Sequence, residues 1–406
     1  MKRRYFDHAA ATPISESVLI AMAPYWSEIS ANPSAIHKEG VMAHKAVEVA
    51  RVQIAKALGV LHDEIIFTAS ATESVNLALF GAVSAWQKAH EGEVAHIIVS
   101  AIEHEAVLSS ARILEEHGVL ISRITVDANG FINPNDIKDA ITANTVLVAV
   151  MYANNEIGTI EPIKEIAKQI RKWKKDVRAI VRSEKIEGDA QYPLFYTDAC
   201  QATNYLDLAI PQLGVDMMTI NAAKIYGPKG IALLCKRRDI SLAPVMFGGG
   251  QEQGFRAGTE NVPLIIGFAS ALSEAIALRE PESLRLTVIR DTLIKKLQDE
   301  ITGIVINGSL TERLPNNINF SLPDIDHEFL ALALDARGFA VSTKSACNET
   351  DADISHVLLA LKEGGGKEHP VSGIRLTMGR VSTFADTEDF VAVLKEILST
   401  MFVKFS

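Results

Sequence analysis

The chain has 406 residues, of which 48% are hydrophobic and 22% charged, and its formal net charge at pH 7 is −10. This composition is that of an ordinary globular protein, long enough for a large core and two domains. Acidic and basic residues are mixed along the chain, so we expect no direct contact with nucleic acid or with a membrane surface. Three cysteines fit neither a disulfide scaffold nor a metal site, and no signal peptide or membrane span is visible. We therefore expect a cytoplasmic protein.

Helical and strand-like patterns alternate along the first two thirds of the chain. In chain order the patterns predict a helix at 41–58, a strand at 65–67, a helix after residue 74, a strand at 96–99, a helix at 103–116, a strand at 145–150, a helix at 163–175, and strands at 194–197, 217–220 and 231–234. Strands that alternate with helices indicate an α/β fold with a mostly parallel sheet, covered on both faces. In such sheets the functional side chains collect at the carboxyl ends of the strands.

The last third of the chain reads as a second unit. A glycine-rich stretch at 248–261 is followed by predicted helices at 263–278 and 282–301 and a predicted strand at 316–321. We place the boundary near residue 275, which gives a large domain over 15–274 and a small domain formed by 1–14 and 275–406. The charged stretch 174–192 is interpreted as an inserted surface excursion.

Lys224 is the first candidate for chemistry, since it follows the mostly apolar run 215–220 and precedes the turn Gly227–Gly230. Burial at a strand end lowers the pKa of an amine, and an uncharged amine can form a Schiff base with an aldehyde, as pyridoxal phosphate (PLP) enzymes require. The alternative is an ordinary surface lysine at the exit of a strand.

Four further polar residues follow predicted strands and could serve the same cofactor. Asp198 could keep a pyridine nitrogen protonated, and His104 could cover the ring face. Gln201 and Asn155 could hydrogen-bond the phenolic oxygen of the ring. The alternatives are a helix N-cap for Asp198, a solvated histidine at a helix start, and loop amides that bind backbone groups.

The loop 68–74 joins a predicted strand to a helix and is rich in small and hydroxyl residues. A helix N-terminus of this kind suits a phosphate. The alternative is a simple helix cap with Glu73 in the first turn.

Two residues near the C-terminus complete the candidates. Cys347 has small and polar neighbours, and Lys344 would favour its thiolate, whereas Cys200 and Cys235 are predicted core residues. Arg375 could bind a substrate carboxylate in bidentate fashion. The alternative for Cys347 is an ordinary exposed thiol, and the alternative for Arg375 is a structural ion pair.

These segments, in their order along the chain, resemble the cysteine desulfurases, which are PLP enzymes of fold type I in the class V aminotransferase group. The resemblance covers nearly the whole length and is carried by residues 5–13, Asn32-Pro33-Ser34 with His37, 71–74, Glu103-His104, 154–158, Asp198 with Gln201, 224–230, Arg256 with Gly258-Thr259, 345–347, and Arg375 with Gly379-Arg380. It implies a large domain with a mostly parallel seven-stranded sheet, and a smaller α+β C-terminal domain.

The resemblance also implies a role for each matching residue. Lys224 would form the Schiff base with PLP, Asp198 would pair with the ring nitrogen, and His104 would stack on the ring. Asn155 and Gln201 would hold the phenolic side. Phosphate contacts would come from Ala71, Thr72, Asn221 and Thr259, the last reaching the neighbouring subunit of a homodimer. Arg375 and Asn32 would bind the carboxylate of L-cysteine, and Cys347 would take the sulfur as a persulfide.

The implied activity is removal of sulfur from L-cysteine, which leaves L-alanine. The sulfur would pass to an acceptor such as an iron–sulfur scaffold protein or a component of tRNA thiolation.

The sequence departs from the family pattern at Asn221 and Ala223, where serine and histidine are usual, and at Ala69-Ser70 and Gln253. Ala223 cannot replace a histidine side chain, so one cofactor contact is expected to be lost. Other possible functions are selenocysteine lyase, another PLP-dependent β-lyase, and a non-catalytic partner in sulfur assembly.

Overall fold

A computed structural model describes residues 3–184, 191–343, 354–365 and 370–403. The helices of these ranges are α1 Glu16–Met22, α2 Pro24–Ser27, α3 Lys38–Leu58, α4 Ala71–Ala89, α5 Glu105–Glu116, α6 Pro134–Ala140, α7 Ile163–Glu184, α8 Ile210–Leu213, α9 Val262–Glu300, α10 His327–Ala336, α11 His356–Glu363 and α12 Phe384–Val403. The strands are β1 Arg4–Tyr5, β2 Ile65–Thr68, β3 His96–Ser100, β4 Leu120–Ile124, β5 Thr145–Ala149, β6 Leu194–Asp198, β7 Met217–Asn221, β8 Ala232–Lys236, β9 Val305–Ile306, β10 Asn317–Ser321, β11 Phe339–Ala340 and β12 Ile374–Thr377.

The central sheet has seven strands in the order β2-β8-β7-β6-β5-β3-β4. The neighbours from β7 through β6, β5 and β3 to β4 are parallel, and β8 runs antiparallel to both β2 and β7. The predicted mostly parallel sheet is therefore confirmed. Because β2 runs in the same direction as β7, the carboxyl ends of six strands lie at one edge of the sheet.

Apolar side chains cover both faces of this sheet. Ile98 and Val148 belong to the apolar cluster that includes α3 and α7, whereas their neighbours Ile97 and Leu147 belong to the cluster that includes α4 and α5. Successive residues of a strand point to opposite faces, so each strand contributes to both clusters. Burial of one such Leu or Ile side chain stabilises a fold by about 1.5–3 kcal/mol.

A smaller sheet forms beyond the central one. Its strands follow the order β12-β10-β9 and are antiparallel, with Asn319 paired to Arg375. Its apolar cluster unites the second half of α9, β10, β12, α10 and α12, and it includes Phe6 from the start of the chain. The predicted division into domains 15–274 and 1–14 with 275–406 stays a prediction, and its boundary falls inside the continuous helix α9.

Several local predictions are corrected. The helices predicted at 263–278 and 282–301 are one helix, α9, which contains Pro281. A proline removes one backbone hydrogen bond, and here its side chain is exposed, where water can replace that bond. The predicted surface excursion at 174–192 begins as helix, because α7 continues to Glu184. Strand β4 was not predicted, because its polar residues Ser122 and Arg123 interrupt the apolar pattern.

Helix α9 is long and apolar enough to span a membrane by length and composition. It packs against α1 and α3, and its side chains Phe268, Ala271 and Leu272 are buried. These are the contacts of a buried core helix. Such a helix can be as long and as apolar as a membrane span without being one.

Candidate active site

Most of the predicted site residues meet in one cavity at the carboxyl edge of the central sheet. The predicted residues that line this cavity are Ala71, Thr72, His104, Asn155, Asp198, Gln201, Asn221, Lys224 and Arg375. They come from segments that follow five different strands, with Arg375 added from β12 of the smaller sheet. Two larger clefts open elsewhere on the described surface, but neither contains Lys224 or another of these residues.

Lys224 ends the short 3-10 helix Ala222–Lys224, which follows β7 directly. Its Nζ donates hydrogen bonds to the backbone oxygens of Ala9 at 2.8 Å and Ala10 at 2.6 Å. The Asn221 side chain accepts a hydrogen bond from the N–H of residue 223 at 3.0 Å and so caps this turn. The amine is thus half-buried inside the cavity, which excludes the reading of Lys224 as an ordinary surface lysine.

Two carboxyl groups lie near one another here, Asp198 in the wall of the cavity and Glu103 buried outside its lining. Asp198 is the last residue of β6, is nearly buried, and accepts a hydrogen bond from the N–H of Cys200 at 2.9 Å. Glu103, after β3, is fully buried and accepts hydrogen bonds from Ser100 at 2.5 Å and from the N–H of Met151 at 2.7 Å. Burial raises the pKa of Glu103 to about 8, and the nearby charge of Asp198 adds to this shift. With this pKa, Glu103 keeps its proton at pH 7.

His104 and Ser70 are helix caps at the cavity. The His104 Nδ1 accepts a hydrogen bond from the N–H of Ala106 at 3.1 Å, which places it at the N-cap of α5. Ser70 accepts one from the N–H of Glu73 at 3.1 Å and caps α4. The alternative of a simple cap is thus correct for the loop before α4, yet Ala71 and Thr72 of the first turn also line the cavity. The N-terminus of this 19-residue helix can bind an anion there.

Arg375 projects from β12 and is only 2% exposed. Its Nη2 forms an ion pair with Asp7 at 2.8 Å, and its Nη1 donates to the backbone oxygen of Asn155 at 3.2 Å. Among the described residues its Nε has no hydrogen-bond partner. The alternative of a structural ion pair is therefore correct in part, and donor capacity remains for a ligand carboxylate.

Gln201, predicted to face the ring of the cofactor, lines the cavity and donates through Nε2 to the backbone oxygen of Ala9 at 3.0 Å. Lys224 donates to the same oxygen, so the two side chains share one acceptor. No individual role was predicted for Asp7, Ala9 or Glu103. Asp7 and Ala9 lie in a small-residue segment that has little local pattern, and Glu103 begins a predicted helix; all three lie in segments that carry the family resemblance, which implied no role for them.

Two predicted site residues of the described part of the chain, Asn32 and Thr259, do not line this cavity. Asn32 is exposed, and its side chain accepts a hydrogen bond from the N–H of Ser34 at 2.9 Å, as the amide of a turn does. Thr259 is exposed on the glycine-rich loop. Cys347 lies outside the described residues. Their roles stay predictions.

The glycine-rich loop is tied to the body of the protein by two ion pairs. Arg51 forms two hydrogen bonds with Glu252, at 2.8 and 2.9 Å, and both side chains are buried. Arg256 pairs with Glu73 of α4 at 2.7 Å. Glu252 and Gln253 both have positive φ angles, of 47° and 59°, which non-glycine residues seldom adopt. These contacts fix a strained loop beside the first turn of α4.

The donors around the cavity fit pyridoxal phosphate. The amine of Lys224 can bond an aldehyde, the Asp198 carboxylate can hold a protonated ring nitrogen, and the first turn of α4 can bind a phosphate. Ala223 offers no side-chain donor, as its sequence predicted, while Asn221 remains at the cavity wall.

Residues 4–390 match the model of the family Aminotransferase class-V. The chain is 40% identical over 402 residues to the protein named cysteine desulfurase IscS from Dictyoglomus turgidum, covering 99% of this chain and 96% of that relative. It is 38% identical to cysteine desulfurase IscS 1 from Archaeoglobus fulgidus, covering 98% of this chain and 97% of that relative.

Solved structures agree with this grouping. A structure described as a NifS-like protein superimposes with a TM-score of 0.86 at 30% identity, covering 98% of this chain and 100% of that chain. One described as SspA in complex with cysteine gives a TM-score of 0.73 at 31% identity, covering 92% of this chain and 98% of that chain.

Proposed function

The chain belongs to the class-V aminotransferase family, and on that premise we propose that it is a PLP-dependent cysteine desulfurase. The enzyme takes the sulfur from L-cysteine, leaves L-alanine, and carries the sulfur as a persulfide on Cys347. The observation that supports this most is the meeting of Lys224, Asp198 and Arg375 in one cavity. The curated relatives named cysteine desulfurase match almost from end to end, and the similar SspA structure is described in complex with cysteine.

Each of these residues has a distinct task. Lys224 would hold the cofactor through its amine, Asp198 would keep the ring nitrogen protonated, and His104 would cover the ring face. When bound, the cofactor supplies an electron sink for charge that develops on the substrate. Arg375 binds the substrate carboxylate through its remaining N–H groups and so orients the amino acid.

Lys224 is the group that transfers protons in this proposal. When its amine is not bonded to the cofactor, the backbone oxygens of Ala9 and Ala10 hold it inside the cavity. From there it can move a proton at the α-carbon of a substrate that Arg375 has oriented. Burial of Glu103 keeps that acid neutral at pH 7, so it adds no second negative charge beside Asp198.

The sulfur is taken by a thiolate. Cys347 attacks the substrate sulfur, an S–S bond forms, and the Cβ–S bond breaks. The electron pair stays on Cβ, which gains a proton, so that alanine leaves and no outside oxidant is needed. Burial raises the pKa of both Cys200 and Cys235 well above the usual range, so these thiols stay protonated and are poor nucleophiles.

A homodimer is part of this proposal. Thr259 does not line the cavity of its own chain, which is consistent with a role at the cavity of a second copy. Exposed apolar side chains on neighbouring helices α1, α2 and α3 could form the contact: Leu19, Ile20, Trp26, Val41, Met42, Val49 and Val52. A monomer in sedimentation velocity at micromolar concentration would refute the homodimer.

The sulfur acceptor is proposed to be an iron–sulfur scaffold or a tRNA-thiolation protein.

The test is release of alanine and sulfide from L-cysteine with a reductant, on protein whose visible spectrum shows bound cofactor. We expect equal amounts of both products. Lys224→Ala should abolish both and remove the cofactor absorbance, whereas Cys347→Ser should abolish sulfide release and keep the absorbance. Lys229→Ala, an exposed lysine of the same turn, and Cys235→Ser are the matched controls. A yellow protein that forms sulfide after Cys347→Ser would contradict the proposed sulfur path.

A further inference from the structure

The segment of residues 7–12, here called the opening segment, lies between Arg375 and Lys224. On one side Asp7 forms a bridge with Thr377 of β12, and the N–H of Ala9 donates to the Thr377 hydroxyl at 2.9 Å. On the other side the Thr12 N–H and hydroxyl both donate to the backbone oxygen of Ala223, at 2.9 and 3.0 Å. The segment is thus fixed to the strand that carries Arg375 and to the turn that carries Lys224.

The Asp7 side chain reaches Arg375 from this fixed backbone. The carboxylate and Nη2 are 2.8 Å apart, and the arginine side chain is 2% exposed while that of Asp7 is 20% exposed. A guanidinium so deeply buried requires a counter-charge, because desolvation of an unpaired charge is costly. Asp7 takes one nitrogen and Asn155 a second, so the guanidinium cannot rotate freely, and Nε stays without a partner in the described part of the chain.

We propose that Asp7 is a positioning residue that holds Arg375 toward the substrate carboxylate and so gives the site its preference for amino acids over amines that lack a carboxylate. This inference rests on the proposed function of the cavity. Asp7 has two opposing effects on a ligand carboxylate, since its own charge repels the ligand while its contact orients the arginine. Because it engages a single nitrogen of the guanidinium and leaves other N–H groups available, orientation outweighs repulsion.

The contacts of Lys224 allow the effect of Asp7 on substrate binding to be separated from any effect on cofactor binding. Its amine is held by backbone oxygens of the opening segment, and the Asp7 side chain supplies neither of them. A change confined to the Asp7 carboxylate should therefore leave the binding of the cofactor intact while it alters the binding of the substrate. A loss of both would indicate general damage to the segment.

The experiment compares the holoenzyme with Asp7→Asn. We expect KM for L-cysteine to rise about tenfold, since a hydrogen-bonded charge contact is lost, with kcat within about twofold of wild type. Binding is measured separately by titrating L-alanine and L-alaninamide against the cofactor absorbance. The preference for L-alanine should fall about tenfold, and Asp7→Glu, which keeps the carboxylate, should restore part of it. Asp335→Asn, which removes an exposed partner of Arg3, should change nothing.

Three results decide the matter. An unchanged or lower KM in Asp7→Asn, with an unchanged preference for L-alanine, overturns the inference and assigns Asp7 a competing or purely structural role. If Asp7→Asn loses cofactor, Asp7→Ser, which also removes the carboxylate that contacts Arg375, is used instead, and a wild-type preference for L-alanine in that variant overturns the inference as well. A wild-type protein that makes no alanine from L-cysteine refutes the proposed function, and the comparison of L-alanine with L-alaninamide still tests Asp7 by itself.

Discussion

Glu103 gives the sharpest quantitative prediction. Its carboxyl group is fully buried, one oxygen accepts two hydrogen bonds, and the other oxygen has no partner among the described residues. Glu103→Gln keeps an acceptor for Ser100 and Met151 and removes only the titrating group. The new N–H₂ takes the place of the unpaired oxygen, and its loss of hydration should cost about 1–3 kcal/mol at every pH.

The pH dependence has a definite sign. Burial raises the pKa of Glu103 from 4.5 to about 8, so between these values the folded protein keeps a proton that the unfolded chain has released. The contribution of this group to stability is therefore complete below pH 4.5 and falls as the pH rises to 8. At about 1.4 kcal/mol per pKa unit, the shift corresponds to a loss of about 5 kcal/mol across this window.

The assay is urea unfolding of wild type and Glu103→Gln at intervals from pH 5 to pH 8, with equal cofactor content. The difference in unfolding free energy should change by several kcal/mol in favour of the variant as the pH rises. Glu116→Gln, an exposed position on α5, is the control and should follow wild type. Parallel pH curves for wild type and Glu103→Gln would refute the assignment of a neutral buried acid.

Two further variants test packing around the site. Arg51→Met should lower the unfolding free energy by about 3–5 kcal/mol, because it leaves the buried carboxylate of Glu252 without its counter-charge. A lower melting temperature and a weaker affinity for the cofactor would show that the glycine-rich loop has lost its ion pair with Arg51. Gly379→Ala should destabilise by about 1–3 kcal/mol, since a Cβ at this position would collide with the buried ring of His8. The measurement is again urea unfolding.

Each variant has a matched control. Arg123→Met breaks an exposed ion pair with Glu115 and should leave the melting temperature almost unchanged. Gly250→Ala places a Cβ where no atom of a described residue lies within 4 Å, apart from the two chain neighbours. Equal effects of Arg51→Met and Arg123→Met, or of the two glycine variants, would show that burial does not govern these contacts.

The order of strands and helices could be predicted because the local spacing of apolar residues indicates each element. Apolar runs such as 145–150 and 217–220 become buried parallel strands, so His104, Asp198 and Lys224 fall at the same edge of the sheet. The predicted burial of Cys200 and Cys235 is also confirmed. Local signals failed where they conflicted with packing. Two helices were predicted at 263–278 and 282–301, yet helix α9 continues through Pro281 between them because tertiary contacts on both sides support the helix.

The fold class and most of the residues at the cavity could be predicted from local features of the chain, since strand ends and helix starts are such features. The partners of those residues depend on how distant segments pack together. Asp7 meets Arg375 across 368 positions, and the oxygens of Ala9 and Ala10 meet Lys224 across more than 200. The protonation of Glu103 was likewise decided by burial, which depends on everything packed around it and on no pattern within its own segment.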